Sequence, residues 1–424
     1  MSPAAADTAT DANAVPSEPS LPAHLDLDEA LRIFRARGLD ILVAEANVRS
    51  AAADARIARA INNPSLSVGV GRSLVNCDGC SAPAFSATLS DQNAITDALF
   101  GKHSLRVDVA DAALEAAKLD KKDAQRLLET NLKQQYLAVI MAQAELDLGR
   151  EARDAAAKTV ELVRRRVSAG AAAETDSLKA ETDALQLEDQ NDAAALTLEK
   201  SKLDLAFLLG VRSSVPKFEV DDALLKVTSH PQLDVLDKAT LIHEALARRT
   251  DVLSAEYGER RAHAAAALAR RTRWPDLALW VNYAQQGSGP NAPTPPTLTV
   301  GIDTPLPIFY QNQGEIHKAE ADIFAQRVRR AKVSSQVVND VESALTTLEI
   351  ARKRVARMGG TLLDSASRSR ALTALQYERG AASLLEMLDA QRTFLSINAA
   401  YLQSEADYWN AVFTVEQATG RTLH

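Results

Sequence analysis

The chain contains the same pattern twice, at an interval of about half its length. Pro64 and Pro275 each precede a run of alternating residues and lie 211 positions apart (275 − 64). Glycines placed to end helices recur 210 positions later (380 − 170 and 420 − 210); they are Gly170, Gly210, Gly380 and Gly420. Solenoid repeats have periods of about 20–50 residues. A duplication this long, in a chain of 424 residues, instead predicts two similar halves that build one pseudo-symmetric structure.

The amino-acid composition favours long helices over a compact enzyme. Hydrophobic residues make up 46% of the chain but aromatic residues only 4%, and 25% of the residues are charged. This usage is typical of long helices and coiled coils, in which small side chains let helices approach closely. The net charge of −8 argues against nucleic-acid binding, because no basic patch large enough to collect phosphates is present. The arginine runs at 164–166 and 270–271 are typical of solvated helix faces.

The sequence lacks the usual signals of an enzyme and of a helical membrane protein. It contains neither a phosphate-binding glycine loop nor a Gly-x-Ser-x-Gly nucleophile motif, so no enzyme activity is predicted. No stretch approaches the roughly 20 apolar residues of a membrane-spanning helix, so a membrane crossing would have to use strands. Residues 1–24 predict a disordered tail without the apolar segment of a signal peptide. The signal of an exported protein would therefore lie outside this sequence.

Each half contains a pair of alternating segments that predicts a β-hairpin. Apolar residues alternate with small or polar ones around Val68 and Ala87 in the first half, and around Val281 and Val300 in the second. Such alternation fits a sheet with one face on a soluble core as well as a sheet with one face toward lipid. Four strands are too few for a membrane barrel, since the smallest have about eight strands. Three chains would supply twelve.

The predicted order of elements is the same in both halves. After the tail of 1–24, a first repeat spans 25–212 and a second spans 239–424, joined by a linker of 213–238. Each repeat begins with one helix and continues with a hairpin, a long helix and a second helix. We predict these last three elements at 64–91, 103–169 and 172–209 in the first repeat, and at 275–305, 314–379 and 382–419 in the second. The long helices would measure on the order of 100 Å, at 1.5 Å per residue, which is too long for a compact domain.

The first long helix carries a heptad stripe. Apolar residues recur at seven-residue spacing, with Arg153 in the one exceptional position; the stripe is Leu132, Val139, Leu146, Val160 and Val167. A stripe of this kind predicts coiled-coil packing against neighbouring helices.

Four segments of the chain together point to one known family. They are the strand entries Asn63-Pro64-Ser65-Leu66 and Trp274-Pro275-Asp276-Leu277, the segment PLPIFYQNQGEI at 305–316, and Tyr377-Glu378-Arg379-Gly380 followed by Ser383, Glu386, Leu388, Asp389, Ala390 and Gln391. With the duplicated helix-strand-strand-helix order, they resemble the TolC-like outer-membrane efflux protein family from about residue 25 to the end. The 305–316 segment is similar to its heavy-metal-efflux branch, of CzcC and CusC type.

The resemblance implies an α+β fold, mainly α, in which duplicated long-helix coiled-coil hairpins form a trimeric α-barrel. Four strands per chain would contribute to a twelve-stranded transmembrane β-barrel in the outer membrane, and the helices would extend into the periplasm. The homotrimer would be the exit duct of a tripartite efflux pump, with no catalytic activity and no cofactor. Its partners would be a periplasmic adaptor (membrane fusion) protein, an inner-membrane transporter of the resistance-nodulation-division type and outer-membrane lipid, with no nucleic acid.

The resemblance also implies a periplasmic gate and selectivity ring at the helix turns marked by Gly170 and Gly380. In the second copy, Glu386 and Asp389 are three residues apart and therefore share a helix face. Threefold symmetry would turn them into carboxylate rings, which prefer cations. The same pair is also typical of an exposed acidic face that only keeps the helix tip soluble.

The corresponding turn of the first copy carries Thr175 and Asp176. The resemblance implies that the hydroxyl of Tyr377 bonds to Asp176 and holds the inner helix closed. Where the best-known member of the family has an arginine, this chain has Ala382. We therefore expect one closing link of the family to be missing here.

The only two cysteines, Cys77 and Cys80, form a Cys-x-x-Cys motif at the tip of the first predicted hairpin. Such a motif can ligate a metal, carry out redox chemistry or form a disulfide. Redox motifs normally begin a helix, and two thiolates are half of a usual zinc site. In an oxidising extracellular loop a disulfide is favoured. The seven histidines are scattered without metal-binding spacing, so no metal site is predicted.

Three functions are compatible with these observations. The first is an outer-membrane duct for heavy-metal efflux, and the second is a duct of the same fold for drugs, solvents or type I protein secretion. The third is a soluble coiled-coil scaffold, which the missing signal sequence favours and the paired amphipathic hairpins oppose. The transported substrate leaves no readable pattern in a channel wall.

Overall fold

The computed structural model describes residues 14–72, 82–222, 224, 237–287, 292 and 294–421, and it is mainly helical. The helices are α1 (Leu27–Arg37), α2 (Leu39–Arg59), α3 (Ala94–Leu99), α4 (Lys102–Ser168), α5 (Glu174–Leu208), α6 (Lys238–Arg248), α7 (Thr250–Arg271), α8 (Gln313–Arg357), α9 (Leu363–Glu378) and α10 (Leu384–Thr419). The strands are β1 (His24–Leu25), β2 (Ser65–Gly71), β3 (Ala84–Ser90), β4 (Glu219–Val220), β5 (Ala278–Gln286) and β6 (Thr294–Asp303). Across this described part of the chain, no helix combines the length and apolarity needed to cross a membrane.

The chain divides into two compact units. The first unit comprises the described parts of Met1–Ala44, Lys122–Arg249 and Ser335–His424. The second unit comprises the described parts of Glu45–Lys121 and Thr250–Ser334. The long strands belong to the second unit, and the helix reversals after α4 and α9 belong to the first.

The second unit contains a four-stranded antiparallel sheet in the order β2-β3-β5-β6. Its register aligns apolar residues across all four strands, as in the row Val68, Ala87, Tyr283 and Leu298. Cross-strand rows of this kind place apolar side chains on one face of the sheet. The antiparallel pairs β2–β3 and β5–β6 lie in the two segments predicted to form hairpins. Within the described residues, β2 and β6 are the edges of the sheet, and each has one side without a paired strand.

Each repeat begins with two helices instead of the single helix that the sequence predicts. The backbone leaves the helical region at Gly38 (ψ 124°), between α1 and α2, and at the equivalent Arg249 (ψ 132°), between α6 and α7. A Cβ at Gly38 would lie 2.7 Å from the ring of Phe34, so this position has no room for a side chain. The helix is therefore interrupted at the same position in both copies of the repeat.

A small parallel sheet joins the end of the predicted tail to the predicted linker. β1 pairs with β4, which ties the N-terminal segment to the chain between α5 and α6. Nη2 of Arg212 donates to the carbonyl of Pro16 at 2.6 Å, and Oγ of Ser213 donates to the carboxylate of Glu18 at 2.6 Å. The prediction of a disordered tail through residue 24 is therefore wrong for this part. Residues 1–13 lie outside the described ones.

The heptad stripe of α4 is a packing face of the first unit. Leu132, Val139 and Leu146 are buried in a core that also contains Phe34 of α1 and Leu205 of α5. Farther along α4, Val160 and Val167 are half-buried against a second, smaller cluster. The exceptional Arg153 is exposed and pairs with Asp154. These positions confirm the predicted stripe.

The long helices of the two copies differ near their midpoints. α4 runs unbroken through Gly149, whereas a π-helical turn, Met358–Leu362, separates α8 from α9 at the equivalent Gly359. A Cβ at Gly359 would lie 2.7 Å from Cε2 of Tyr401, while a Cβ at Gly149 would come no closer than 3.5 Å, to Oδ1 of Asn191. Asn191 and Tyr401 are themselves equivalent in the repeat. The second copy therefore packs a larger side chain against its interrupted helix.

Candidate functional site

The two helix reversals of the first unit end their helices in the same way. Gly170 has a φ of +72° and Gly380 a φ of +77°, in the left-handed region. In each case the N–H groups of the glycine and of the next alanine bond back to carbonyls of the last helical turn, at 2.8–3.0 Å. This is the Schellman motif, which favours glycine because a side chain is strained at positive φ. The structure places both predicted turn glycines at the reversals.

The helix after the second reversal has a side-chain cap that the first lacks. Oγ of Ser383 accepts the N–H of Glu386 at 3.3 Å, and the Glu386 carboxylate accepts the N–H of Ser383 at 2.7 Å. This reciprocal pair is a capping box at the start of α10. The equivalent N-cap of α5 is Ala173, which has no side-chain oxygen and makes no cap bond.

Glu386 therefore caps the start of α10, a structural role that was not part of its predicted function in a carboxylate ring. Its pKa lies below the ordinary value because the backbone N–H and the hydroxyl of Ser383 donate hydrogen bonds to its carboxylate. The side chain is exposed and ionised, so it also adds negative charge at the reversal. The Ser-x-x-Glu spacing of a capping box was readable in the sequence.

The remaining predicted acids differ between the copies. Asp389 is exposed on α10, one turn beyond Glu386. Its equivalent in the first copy is Lys179, whose Nζ lies 3.7 Å from Oδ1 of the half-buried Asp176. Thr175, the neighbour of Asp176, is exposed. The second copy thus presents two acids where the first presents an acid and a base.

Tyr377 lies in the apolar centre between the two reversals. Its side chain is 3% exposed, and the cluster around it comprises Val163, Ala180, Leu384, Met387 and Leu388. The guanidinium carbon of Arg166 lies 4.7 Å from the ring centroid, and Nη1 of Arg166 donates to the Tyr377 carbonyl at 2.6 Å. A cation–π contact and a hydrogen bond therefore link α4 of the first copy to α9 of the second.

The predicted hydrogen bond from Tyr377 to Asp176 is not formed. The Tyr377 hydroxyl is buried and has no hydrogen-bond partner among the described residues. Burial also raises the pKa of Tyr377. That part of the prediction is wrong for this structure, where Arg166, assigned from the sequence to a solvated face, joins the two copies. Ala382 packs against the same cluster, in the place where an arginine was expected from the family.

A second link between the copies lies farther along the helices. Nε and Nη2 of Arg392, on α10, donate to Oδ1 of Asp183, on α5, at 3.0 and 2.5 Å. The Asp183 side chain is buried, whereas Arg392 is largely exposed. Removing the arginine would leave a buried carboxylate without a counter-charge, which destabilises a fold much more than losing a surface pair. This pair was not predictable from the sequence, because its members are 209 positions apart.

Two sequence-based predictions concern metals and thiols. Cys77 and Cys80 lie outside the described residues, so the predicted disulfide stays a prediction. The described part of the chain contains no group of three or more histidine, cysteine, aspartate or glutamate side chains that could hold a metal ion.

Two relatives resemble the chain along most of its length. The cobalt-zinc-cadmium resistance protein CzcC of Cupriavidus metallidurans is 25% identical over 401 residues, which cover 94% of this chain and 90% of CzcC. The pyoverdine export outer membrane protein OpmQ of Pseudomonas aeruginosa is 25% identical over 400 residues, covering 89% of this chain and 81% of OpmQ.

The fold and the duplication are both found in known proteins. A crystal structure of CusC is similar to this chain with a TM-score of 0.76 and 19% identity, covering 93% of this chain and 92% of that one. The family model described as outer membrane efflux protein matches residues 30–211 and matches again at residues 241–421, once in each repeat. The chain therefore belongs to the outer membrane efflux protein family.

Proposed function

We propose that this chain is the outer-membrane channel, or exit duct, of a tripartite pump that exports heavy-metal cations. Three copies would form a homotrimer in the outer membrane that extends into the periplasm. A periplasmic adaptor and an inner-membrane transporter would be its partners. The observation that carries the choice of substrate is the similarity to a cobalt-zinc-cadmium resistance protein along 94% of the chain.

The open edges of the sheet support the trimer. Within the described residues β2 and β6 each leave one edge unpaired, and an unpaired edge offers N–H and C=O groups to another strand. Both strands also expose apolar side chains, among them Val68 at 60% and Val300 at 69%. If β6 of one chain pairs with β2 of the next, three chains close a sheet of twelve strands, which is within the range of membrane-spanning sheets.

The charge of the second reversal supports a preference for cations. Glu386 and Asp389 are both exposed, and Glu386 is held ionised by its hydrogen bonds from Ser383. Threefold symmetry would place six such carboxylates around the axis, and rings of carboxylates attract cations and repel anions. The first reversal would add less charge, because Lys179 lies beside Asp176.

A duct for an organic compound is the second candidate. It is favoured by the pyoverdine export protein, which is also 25% identical to this chain. The two candidates predict different sensitivities of the producing cell. The third sequence-based hypothesis, a soluble coiled-coil scaffold, is contradicted by the family to which both repeats belong.

Growth of a host strain that lacks this chain distinguishes the two ducts. Under the metal hypothesis the deletion increases sensitivity to Co²⁺, Zn²⁺ or Cd²⁺, and the wild-type chain restores resistance. Sensitivity to organic solvents and dyes, and the export of siderophores, stay unchanged. Normal metal tolerance combined with impaired siderophore or solvent export would contradict the metal hypothesis and support the organic one.

A further inference from the structure

In the second unit, the segment that follows one strand binds the segment that precedes the next strand. Residues 91–102 lead from β3 to α4, and they contact the β5 entry at 274–279. Oγ1 of Thr96 donates to a backbone carbonyl of that entry at 2.7 Å. Nζ of Lys102 bonds to a second carbonyl and to Oδ1 of Asp276, both at 2.6 Å. Thr96 and Lys102 are both buried, so these bonds are shielded from solvent. We call this contact the polar joint.

Because the chain is duplicated, each of the two segments that form the polar joint has an equivalent segment in the other repeat. The β5 entry corresponds to the β2 entry at 63–68, which lies 211 positions earlier (274 − 63). The segment 91–102 corresponds to 304–313, which leads from β6 to α8. In both segments the residue before the long helix has a positive φ, +70° at Gly101 and +58° at Asn312. Because β2 and β6 are opposite edges of the sheet, these two equivalents lie at opposite sides of one chain.

Apolar side chains are exposed in the 304–313 segment and in the residues just before the β2 entry. On the β6 side, Leu306 and Ile308 are each 71% exposed and Phe309 is 98% exposed. On the β2 side, Ile57 near the end of α2 is 71% exposed, and Ile61 before the strand is 68% exposed. Each edge of the sheet therefore ends beside an exposed apolar patch.

The loop that carries Phe309 is held by hydrogen bonds directly after that residue. Oη of Tyr310 donates to the Glu315 carboxylate at 2.7 Å. Nδ2 of Asn312 donates to the carbonyl of Thr272 at 2.8 Å, at the end of α7. These bonds connect the end of the loop to the end of α7 and to the start of α8, and Phe309 is exposed beside them. A fixed, exposed apolar surface is typical of an interface.

The ion pair of the polar joint has no counterpart at the two edges. The equivalent of Lys102 is Gln313, and the equivalent of Asp276 is Ser65, so neither edge can supply the charges. A contact between 304–313 and 63–68 would have to use the apolar side chains instead.

We propose that Leu306, Ile308 and Phe309 of one chain pack against Ile57 and Ile61 of a second copy, in an apolar joint beside the β6–β2 pairing. This inference rests on the homotrimer of the proposed function. In an antiparallel pairing, β6 ends where β2 of the next chain begins, so closing the sheet brings the two patches together. Three polar joints inside chains would then alternate with three apolar joints between chains.

A photo-crosslinker in place of Phe309 tests the joint in the full-length chain. The protein is purified in detergent, its oligomeric state is measured by native mass spectrometry, and p-benzoylphenylalanine at position 309 is then activated. We expect covalent dimers and trimers on a denaturing gel, with adducts that map to residues 57–66 of another copy. The control position is Leu99, which is 77% exposed on α3 and belongs to the 91–102 segment of the polar joint. A crosslinker there should yield adducts within one chain only.

The possible outcomes distinguish a failure of the apolar joint from a failure of the proposed trimer. A trimer whose adducts at position 309 fall on its own chain, on lipid or on detergent contradicts the joint and leaves the trimer standing. A sample that contains only single chains contradicts both.

Subunit exchange gives a second measurement that does not depend on crosslinking. Burial of a phenylalanine side chain contributes enough that Phe309→Ala should speed exchange between labelled and unlabelled trimers by about tenfold or more. Leu99→Ala, a similar truncation outside the apolar joint, should leave the rate within about twofold, which is within the spread of ordinary surface substitutions. Equal rates for wild type and Phe309→Ala would overturn the joint.

Discussion

The helix reversals at Gly170 and Gly380 have the same backbone geometry, yet the helices that follow them begin differently. Both glycines adopt positive φ and close Schellman motifs. After them, α10 starts with a capping box and two exposed acids, whereas α5 starts with an uncapped alanine and an acid–base pair. The duplication has thus retained what the backbone requires and has diverged in the side chains that set charge. The differences between the copies, more than their likeness, indicate where a gate would be tuned.

The largest expected effect comes from the centre between the reversals. Tyr377→Ala should lower the free energy of unfolding by about 3–5 kcal/mol, because it empties a buried aromatic site and removes the contact with Arg166. The equivalent first-copy change, Val167→Ala, should cost about 1 kcal/mol, since Val167 is only half-buried. Denaturant unfolding followed by circular dichroism measures both.

Tyr377→Phe sharpens this comparison. The hydroxyl has no partner among the described residues, so its removal should change stability by less than about 1 kcal/mol. A loss as large as that of Tyr377→Ala would show that the hydroxyl makes a bond that holds the fold.

The midpoint glycines should respond with opposite signs to the same substitution. Gly359→Ala would place a Cβ 2.7 Å from Tyr401 and should destabilise the chain by about 1–3 kcal/mol. Gly149→Ala meets nothing closer than 3.5 Å and should stabilise the helix by about 0.5–1 kcal/mol. Thermal unfolding of the two variants measures the difference.

The paired variant Gly359→Ala with Tyr401→Asn reproduces the alanine–asparagine contact of the Gly149→Ala variant and should recover most of the loss. If Gly359→Ala is stabilising on its own, the π-helical turn and Tyr401 do not depend on each other.

The first turns of α10 and α5 should differ in stability by about the contribution of one N-cap residue. Ser383→Ala removes the N-cap of α10 and should cost about 1 kcal/mol, whereas Ala173→Ser should add a cap to α5 and gain up to about 1 kcal/mol. Hydrogen exchange at the first-turn amides of each helix reports the local effect. Either substitution alone should bring the exchange rates of the two helix starts closer together, and exchange that is already equal in the wild type would contradict the asymmetry.

The smallest effect is a pH dependence confined to the second reversal. The hydrogen bonds from Ser383 lower the pKa of Glu386 in the folded chain below its ordinary value of 4.5. A depressed pKa contributes stability that is fully present above about pH 4.5 and is lost as the pH falls through the lower folded value. The protection factors of the amides at the start of α10, which correct for the slower intrinsic exchange in acid, should fall as the pH falls, and Glu386→Gln should abolish this dependence. Unchanged acid sensitivity in Glu386→Gln would assign the effect to another group.

The sequence predicted the repeated architecture well, because periodicity reports which faces are buried. The α4 stripe is buried as expected, and the antiparallel strand pairs lie in the segments predicted to form hairpins. The offset also places equivalent residues such as Gly149 and Gly359 in equivalent positions. The breaks at Gly38 and Arg249 were missed, since a single residue with non-helical ψ leaves the apolar pattern intact.

The contacts of the candidate site were less predictable. The capping box was readable as Ser-x-x-Glu. The links Arg166–Tyr377 and Arg392–Asp183 were not, because each joins residues more than 200 positions apart and depends on how the two copies pack. A run of charged residues carries no information about which of them face a distant partner.

Ion selectivity in planar bilayers tests the central claim that the second reversal gives an outer-membrane channel its preference for cations. The full-length chain is reconstituted, and reversal potentials are measured across a salt gradient. We predict a cation-selective channel whose preference falls clearly in Glu386→Gln with Asp389→Asn, a pair that keeps an acceptor for the capping box. The first-copy control, Asp176→Asn with Lys179→Gln, removes one charge of each sign and should leave selectivity unchanged. Unchanged selectivity in the second-copy variant, or an equal loss in the control, would contradict the account.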